Sequence, residues 1–372
     1  MTARTDTVGP IAGEVTAPPA AAYSDPAVLG DELAAIWRRR WVIAGLSADV
    51  AAPKSYLTTD VAGVPVVVTR DRDGVLRALS NVCRHRGMIL AEGCGPAMTL
   101  NCPNHAWTYG LDGALKGAPR SSVEEGFDAG AIRLPEYAVV EWGPVVLVNL
   151  DPDAEPPLAE LALMDATLAA AGLDLATMRR SGEPVDWTIE SNWKIVVENY
   201  LECYHCTWVH RDFSAVFDIA EYRYAAEPVG DLLVSTAPVK AGAAGARRDE
   251  LLDTDGPLKD SHWYLLFPGA TVNCYPGAGA VELTWYWPID AETTGARTLV
   301  LVSPDASPEY ETQVNALLMQ VGEEDNAICQ GMHRGMRSGA LDRVRVLPGN
   351  EPLISSFHAL LAERLSYPET AR

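Results

Sequence analysis

The 372-residue sequence has no apolar run that approaches the roughly 20 residues needed to span a bilayer, which excludes an integral helical membrane protein. Its N-terminal region lacks the basic start and apolar core of a secretory signal, so we expect a cytoplasmic protein with no membrane partner. Positive charge is scarce: 29 Lys and Arg face 50 Asp and Glu, giving a formal net charge of -21. Because so acidic a surface repels phosphate backbones, nucleic acid is not an expected partner.

Cysteine is also sparse, with seven residues, an odd number for so long a chain. Since no export signal accompanies them, we expect thiols or metal ligands rather than disulfides. No Gly-x-Gly-x-x-Gly follows a candidate strand, so the chain has no flavin or nicotinamide fingerprint of its own. The apolar content of 48% is ordinary for a globular protein, and the length is sufficient for two domains.

In the first part of the chain, the pattern of apolar residues changes after a short helical segment. Residues 1–25 are rich in Pro, Ala and Thr and are expected to be flexible. Residues 26–45 begin with apolar positions at helical spacing and predict a helix that leads into the next domain. Beyond it, short apolar runs alternate with turn signals such as Asp73-Gly74, which predicts a small antiparallel β domain over residues 46–155.

An acidic, Pro-rich segment at 151–157 suits a domain junction, and residues 156–372 mix helical and strand patterns. Strands grouped between helices indicate an α+β domain in which helices flank an antiparallel sheet. Helices are predicted at about 157–171, after Asn192, and at about 308–337 and 351–366. Strands are predicted at about 217–238, 263–275, 280–288 and 297–303, and a loop at the Ala/Gly run 241–246.

The strongest motif consists of two short segments, Cys83-Arg84-His85-Arg86-Gly87 and Cys102-Pro103-Asn104-His105-Ala106-Trp107. Each segment supplies one thiolate and one imidazole from a tight loop. Two thiolates on one iron and two imidazoles on the other can hold a [2Fe-2S] cluster, and the neutral imidazoles raise its reduction potential. A zinc site with two cysteine and two histidine ligands is an alternative, but zinc loops usually pair Cys-x2–4-Cys with His-x3–5-His. Core cysteines with incidental histidines are a further alternative.

A second motif contains Glu202, His205 and His210. Two histidines five residues apart do not share a face of a helix that repeats about every 3.6 residues, so they can bind one metal only if the helix ends or distorts between them. Glu202 precedes His205 by three residues and can accept a hydrogen bond from its imidazole. An oxygen-activating ferrous site needs two histidines and one carboxylate. Asp325, in a late predicted helix, is the best candidate, and Glu324 is the runner-up.

Other features of this region have more than one interpretation. By itself, His-x4-His favours an amphipathic helix with two satisfied polar histidines. Cys203 and Cys206 form a Cys-x2-Cys that is compatible with redox or zinc chemistry, but we interpret them as small buried apolar residues beside the metal site. Trp285 and Trp287 would face one side of a strand, where they could cage a quaternary ammonium, stack on an arene or simply pack the sheet.

Both motifs resemble those of the aromatic-ring-hydroxylating oxygenases and their monooxygenase relatives, from about Trp37 to the C-terminus. Cys-x-His-Arg-Gly and Cys-Pro-x-His-x-Trp look like the Rieske domain of that family, and Asn-Trp-Lys…Glu-Asn-Tyr-Leu-Glu-Cys-Tyr-His-x4-His looks like its mononuclear iron motif. The resemblance implies an N-terminal all-β Rieske domain and a C-terminal α+β catalytic domain. The implied ligands are Cys83, His85, Cys102 and His105 for the [2Fe-2S] cluster, and His205, His210 and Asp325 for Fe(II).

The same resemblance implies a head-to-tail homotrimer in which His105 of one subunit hydrogen-bonds Glu202 of its neighbour, and Glu202 contacts His205. A separate flavin or iron–sulfur reductase would deliver electrons from NAD(P)H. Many ring-hydroxylating dioxygenases carry aspartate at the bridging position, and glutamate there resembles the carnitine, choline and glycine-betaine monooxygenases. We therefore expect O2-dependent oxidation of a small molecule next to a quaternary or N-methyl nitrogen. The alternatives are hydroxylation of an aromatic ring or aromatic acid, and a non-catalytic Rieske electron-transfer or zinc-binding protein.

Overall fold

The computed structural model describes residues 17–225, 228–240, 260–276 and 279–367. Its contacts divide the chain into two compact units. The β unit contains Ile36–Pro157, and the α+β unit contains the residues before Ile36 together with those from Leu158 onwards. The division falls at the end of the acidic segment 151–157. The predicted loop at 241–246 lies outside the described residues.

The β unit consists of antiparallel strands and short 3-10 turns. Its strands are β1 (Val42–Leu46), β2 (Ser55–Val61), β3 (Val64–Arg70), β4 (Leu76–Ser80), β5 (Cys94–Pro96), β6 (Leu100–Asn101), β7 (Thr108–Tyr109), β8 (Leu115–Gly117), β9 (Glu136–Trp142) and β10 (Val145–Asn149). A seven-stranded sheet has the order β1-β10-β9-β4-β3-β2-β5, and β6, β7 and β8 form a separate three-stranded sheet.

The apolar run in β3 shows that this sheet is covered on both faces. Val66 and Val68 belong to one core cluster and Val67 to another, and none of the three is exposed. A continuous apolar run is typical of a strand buried on both faces. The cluster that contains Val67 also contains Cys83 and Cys102. The core of the β unit therefore fixes both loops of the first motif.

The α+β unit surrounds an antiparallel sheet with helices, as predicted. Its helices are α1 (Pro26–Glu32), α2 (Leu158–Ala170), α3 (Trp193–Tyr200), α4 (Cys206–Val209), α5 (Arg211–Val216), α6 (Pro308–Arg337) and α7 (Pro352–Ala362). Its strands are β11 (Arg179–Arg180), β12 (Val185–Ile189), β13 (Arg223–Tyr224), β14 (Leu232–Pro238), β15 (Asp260–Leu266), β16 (Ala270–Tyr275), β17 (Ala280–Pro288) and β18 (Thr294–Val302). The sheet order is β11-β18-β17-β16-β15-β14-β13, and β12 also pairs with β18. No described helix in either unit combines the length and apolar character that crossing a bilayer requires.

Two strand predictions in this unit need correction. The strand predicted at 263–275 is a hairpin, β15 and β16, because the turn at residues 267–269, which contains Pro268, interrupts it. The strand predicted at 217–238 is divided into a 3-10 turn and the separate strands β13 and β14. β11 and β12 were not predicted: β11 consists of two arginines, and β12 is a short strand at the edge of the sheet that pairs only with β18. The other predicted helices and strands are confirmed to within a few residues.

The N-terminal predictions also need correction. Within the segment expected to be flexible, residues 17–25 are packed: Tyr23 is fully buried, and Pro19 forms a β-bridge with Arg343. The predicted helix at 26–45 is shorter, since α1 continues only through a π-helical turn, Leu33–Trp37, before β1 begins. α1 belongs to the α+β unit rather than to the β unit. This segment is held by side-chain hydrogen bonds to residues that are far away in the sequence. Such contacts cannot be predicted from the local pattern of apolar and polar residues.

Candidate metal centres

Cys83 and Cys102 open two loops that have the same hydrogen-bond pattern. In each loop the cysteine N–H donates to the carbonyl of the fifth following residue at 2.8 Å, and the N–H of the fourth residue donates back to the cysteine carbonyl at 3.0 Å. The fourth residue has a positive φ, 75° at Gly87 and 57° at Ala106. This conformation is accessible to glycine and uncommon for alanine. The two loops are therefore matched halves of one site.

The loops bury the sulfurs and expose the imidazoles. Cys83 and Cys102 are buried, whereas His85 and His105 are exposed, with ring centroids 4.7 Å apart. Burial raises the pKa of the Cys102 thiol, but hydrogen bonds from the backbone N–H groups of Asn104 and His105 outweigh burial and leave that pKa below its usual value. Two cysteine sulfurs and two imidazoles are the donor set of a Rieske cluster.

Tyr109 is a further member of this cluster that motif analysis missed. Its hydroxyl lies 3.5 Å from the Cys83 sulfur and accepts a hydrogen bond from the N–H of Arg84 at 3.0 Å. Hydrogen bonds to cluster sulfurs are one means by which a protein sets the reduction potential. Trp107 stacks on His85 with ring centroids 4.9 Å apart and limits the orientation of that imidazole. A Tyr two residues after the final Trp of the motif was the available signal.

The segment that carries His205 and His210 is not one helix. α3 ends at Tyr200, and α4 and α5 are separated at His210, whose backbone is not helical (φ -100°, ψ 74°). The five-residue spacing requires such a break if both histidines bind one metal. The break brings the two imidazoles together, with 3.1 Å between Nε2 of His205 and Nε2 of His210.

Asp325 of α6 approaches the same point. Its Oδ1 lies 2.9 Å from His210 Nε2 and 3.4 Å from His205 Nε2. Donor atoms that bind one metal at about 2.1 Å in neighbouring positions lie about 3 Å apart, so this spacing fits a mononuclear site. Burial raises the pKa of Asp325, but hydrogen bonds from the two histidines outweigh it and lower the pKa to about 2. A metal ion at this point would replace the protons that the three groups otherwise share.

Each imidazole has a carboxylate on its other nitrogen. Glu202 Oε1 contacts His205 Nδ1, and Glu324 Oε2 lies 2.7 Å from His210 Nδ1. Burial lowers the pKa of His205, but the contacts with Asp325 and Glu202 outweigh it and raise the pKa to about 9. A carboxylate on Nδ1 fixes the tautomer that leaves Nε2 available to a metal. Glu324, the second candidate for the metal-binding carboxylate, therefore contacts Nδ1 of His210, on the side of the ring away from the metal site. Asp325 lies on the other side, next to Nε2 of both histidines.

Polar residues of the second motif position this cluster. Asn192 caps α3 by accepting a hydrogen bond from the N–H of Lys194 at 3.1 Å. Asn199 Nδ2 donates to Asp325 Oδ1 at 2.7 Å, and so connects α3 to α6. Tyr200 OH donates to Asn273 Oδ1 at 2.6 Å, and so connects α3 to β16. The role of Asn199 beside Asp325 was not predicted.

Cys203 and Cys206 are joined by a disulfide, which corrects their interpretation as separate apolar side chains. Both are buried beside the site, as expected, and the Cys206 sulfur lies 3.9 Å from His205 Nε2. Their Cα atoms are 4.9 Å apart because the chain turns between α3 and α4, and that distance is within the range of a disulfide.

The His–His–Asp cluster lies in the wall of a cavity of about 130 Å³. One face of the sheet forms much of the remaining wall. On β17 this face carries Glu282, Thr284 and Tyr286 at alternate positions. Trp285 and Trp287 point to the opposite face and do not line the cavity, so of their possible roles the caging of a ligand is wrong and packing on the sheet remains.

Glu282 is the feature of the cavity that sequence reasoning missed. Its Oε2 accepts hydrogen bonds from Asn273 Nδ2 at 2.9 Å and from Tyr275 OH at 3.1 Å. Burial raises the pKa of Glu282, although the hydrogen bonds from Asn273 and Tyr275 oppose that effect. The available signal was a single acidic residue within the otherwise uncharged strand β17.

A β unit that brings together two cysteines and two histidines, and an α+β unit that brings together two histidines and one carboxylate, define an oxygenase that combines an iron–sulfur centre with a mononuclear non-haem iron. A family model described as the ring hydroxylating alpha subunit (catalytic domain) matches residues 175–367, and one described as the Rieske [2Fe-2S] domain matches residues 40–137. The chain belongs to the ring-hydroxylating alpha subunit family. Its cofactors are a [2Fe-2S] cluster and a mononuclear iron, and a separate reductase supplies the electrons. The zinc-binding and non-catalytic alternatives are wrong.

Several known proteins are similar to this chain over most of its length. The carnitine monooxygenase oxygenase subunit of Acinetobacter pittii is 29% identical and covers 85% of this chain and 84% of its own. The chloroplastic choline monooxygenase of Beta vulgaris is 28% identical and covers 94% and 77%. The structure of the quaternary ammonium Rieske monooxygenase CntA with L-carnitine has a TM-score of 0.77 at 25% identity and covers 94% and 95%. Naphthalene 1,2-dioxygenase from Rhodococcus shares the fold, with a TM-score of 0.71 at 19% identity and coverage of 86% and 82%.

Proposed function

We propose that this chain is a monooxygenase component that oxidises a small molecule at a carbon next to a quaternary or N-methyl nitrogen. The observation that carries this proposal is the cavity, which places aromatic residues and an acid near the His–His–Asp cluster. Aromatic faces attract ammonium groups. The relatives named for carnitine and choline favour the same substrate class, whereas the likeness to naphthalene dioxygenase extends only to the fold.

The proposed iron ligands are His205, His210 and Asp325, and the proposed cluster ligands are Cys83, His85, Cys102 and His105. When bound and reduced, the mononuclear iron supplies dioxygen activation. The chain itself orients the imidazoles through Glu202 and Glu324 and holds Asp325 through Asn199. The cavity wall positions the substrate beside these groups.

We further propose a homotrimer in which the cluster of one subunit faces Glu202 of the next, with electrons from NAD(P)H entering through a flavin or iron–sulfur reductase. The exposed His85 and His105 in the β unit, and the exposed Tyr204 and Trp208 near Glu202, support this assembly. A solved CntA structure has been described in terms of inter-subunit electron transfer. In this proposal residues 46–155 are the Rieske domain, residues 156–372 are the catalytic domain, and the protein is cytoplasmic.

The substrate class is tested by turnover of the reconstituted holoenzyme with a reductase and NAD(P)H. We expect quaternary and N-methyl amines to give oxygenated or dealkylated products, detected by mass spectrometry and as released aldehyde. Aromatic acids serve as the comparison. Turnover of aromatic acids, without turnover of any ammonium compound, would contradict the proposal.

The proposed iron site is tested by Asp325→Ala. We expect iron to fall from about three to about two per chain, since loss of the carboxylate leaves only two ligands for the mononuclear metal. The Rieske absorbance should persist while turnover is abolished. Glu323→Ala is the matched control, because Glu323 is an exposed acid two residues away on α6. Retention of three irons by the Asp325 variant would exclude Asp325 as a ligand.

A further inference from the structure

We propose that Glu282 recognises the positive charge of the substrate, and that the cavity therefore selects a monocation of the choline type over a zwitterion of the carnitine type. This inference rests on the proposed function and specifies which ammonium compounds the site accepts. Glu282 is the specificity-determining residue in this proposal.

The first argument is the position of the carboxylate. Glu282 lies on β17, which runs between β16 and β18 in the sheet, and its side chain is on the face that lines the cavity. The neighbouring Asn273 and Tyr275 both donate hydrogen bonds to its Oε2. Two donors on one oxygen hold the side chain in a fixed orientation. A carboxylate held in this way in a ligand cavity is a preorganised partner for a cation.

The second argument is that the carboxylate has no cationic partner. Among the described residues, no Lys, Arg or His forms an ion pair with Glu282, whereas the other two acids of the wall, Glu202 and Asp325, contact His205. Taking a carboxylate out of water without a counter-charge is unfavourable. A bound ammonium would supply that charge.

The third argument concerns the rest of the substrate. The described residues that line the cavity include no Lys or Arg. A substrate carboxylate would therefore find no Lys or Arg partner in the wall, and the wall acids Glu202, Glu282 and Asp325 would repel it. A hydroxyl or alkyl group has no such disadvantage, because Thr271, Thr284 and Thr298 offer neutral hydrogen-bonding groups. The charge distribution thus favours a cation whose other substituents are neutral.

The wild-type holoenzyme tests the inference by anaerobic titration calorimetry with choline, with the larger zwitterion L-carnitine and with an uncharged analogue that has the size of choline. We expect choline to bind at least about tenfold more tightly than L-carnitine and than 3,3-dimethyl-1-butanol, the uncharged carbon analogue of choline, as is typical for loss of a hydrogen-bonding charge partner. Carnitine that binds as tightly as choline would overturn the selectivity. An uncharged analogue that binds as tightly as choline would overturn charge recognition.

The variant Glu282→Gln tests the residue itself, since Gln keeps the size and can accept the bonds from Asn273 and Tyr275. We expect its affinity for choline to fall at least about tenfold and its affinity for the uncharged analogue to stay within about twofold. Asp290→Asn, an exposed acid in the turn after β17, is the control and should bind choline normally. Unchanged choline affinity in the Glu282 variant would overturn the assignment.

Two further outcomes separate this inference from the proposed function. If the Glu282 variant does not fold, the comparison of the three compounds on the wild-type enzyme still decides the inference. If the wild-type enzyme binds no ammonium compound at all, both the inference and the proposed function fail. Tight binding and turnover of carnitine in preference to choline would overturn the inference alone.

Discussion

Each imidazole near Asp325 is held at both of its nitrogens. Nε2 of His205 and of His210 points to the shared point, while Nδ1 is held by Glu202 or by Glu324. The two glutamates differ in their surroundings. Glu324 Oε1 accepts a hydrogen bond from Gln320 at 2.9 Å and is connected within its own helix, whereas Glu202 lies in the loop between α3 and α4, near the exposed Tyr204. In the proposed trimer, Glu202 is the glutamate that contacts the neighbouring subunit.

At this scale we predict that Glu202→Gln keeps both iron centres and slows electron transfer from the cluster to the mononuclear site by at least about tenfold. The glutamine side chain is uncharged, so it can no longer act as a carboxylate that accepts hydrogen bonds from two imidazoles at the same time, one in each subunit. Stopped-flow oxidation of the reduced Rieske chromophore in a single turnover measures the rate.

Glu324→Gln is the matched control for this prediction, because it changes the carboxylate on the other imidazole. We expect it to weaken iron retention but to leave the single-turnover rate of the iron-loaded enzyme close to that of the wild type. Unchanged kinetics in the Glu202 variant would contradict the bridging role of that residue.

At the scale of elements, α3 is anchored by a buried polar network. Lys194 Nζ lies 2.7 Å from Glu32 Oε1, and neither side chain is exposed. Glu198 Oε1 accepts a hydrogen bond from Tyr23 OH at 2.6 Å and lies 2.9 Å from His358 Nε2. The network connects α3 to α1, to the segment before α1 and to α7. It therefore fixes the helix that leads directly into the Glu202–His210 loop.

We predict that Lys194→Met destabilises the α+β unit by about 3–5 kcal/mol, because it leaves Glu32 buried without a counter-charge. The midpoint of thermal unfolding, measured on samples of equal iron content, should fall by several degrees. The double variant Glu32→Gln, Lys194→Met removes both charges and should recover part of the loss.

Arg179→Met provides the control for the Lys194 prediction. Arg179 Nη2 pairs with Glu311 Oε2 at 2.7 Å, but the pair is partly exposed and should contribute no more than about 1 kcal/mol. Equal unfolding midpoints for the Lys194 and Arg179 variants would contradict a structural role for the buried network.

The elements also show what the sequence could predict. α6 matches its predicted bounds because Ser307 caps it and Pro308 begins it. The break in the helix at His210 followed from helical geometry once both histidines were assigned to one metal. The residues of the cavity wall could not be predicted from the sequence. The alternation along β17 separates the side chains into two faces, but it does not indicate which of these faces α3 and α6 cover. The roles of Trp285 and Glu282 were therefore not predictable, since they depend on contacts between elements far apart in sequence.

At the scale of the whole molecule, the proposed trimer requires two different surfaces to meet. His85 and His105 are exposed on the β unit, and Trp208, 79% exposed, lies on the α+β unit. Large exposed aromatic residues are enriched at protein interfaces. A heterologous interface joins unlike surfaces and forms a closed ring when the rotation between subunits closes.

This assembly predicts complementation between two inactive variants. Cys102→Ser disables the cluster and keeps the mononuclear site, whereas Asp325→Ala does the reverse. In trimers co-expressed in equal amounts, about a quarter of the interfaces would place an intact cluster beside an intact iron site, if the ring is heterologous and mixing is random. We therefore expect about a quarter of wild-type turnover, with mixed trimers counted by native mass spectrometry. Co-expression of Asp325→Ala with His210→Ala, which both lack the mononuclear site, should restore nothing. If verified mixed trimers of the first pair are as inactive as their parents, electrons do not pass between subunits, and Glu202 does not bridge them.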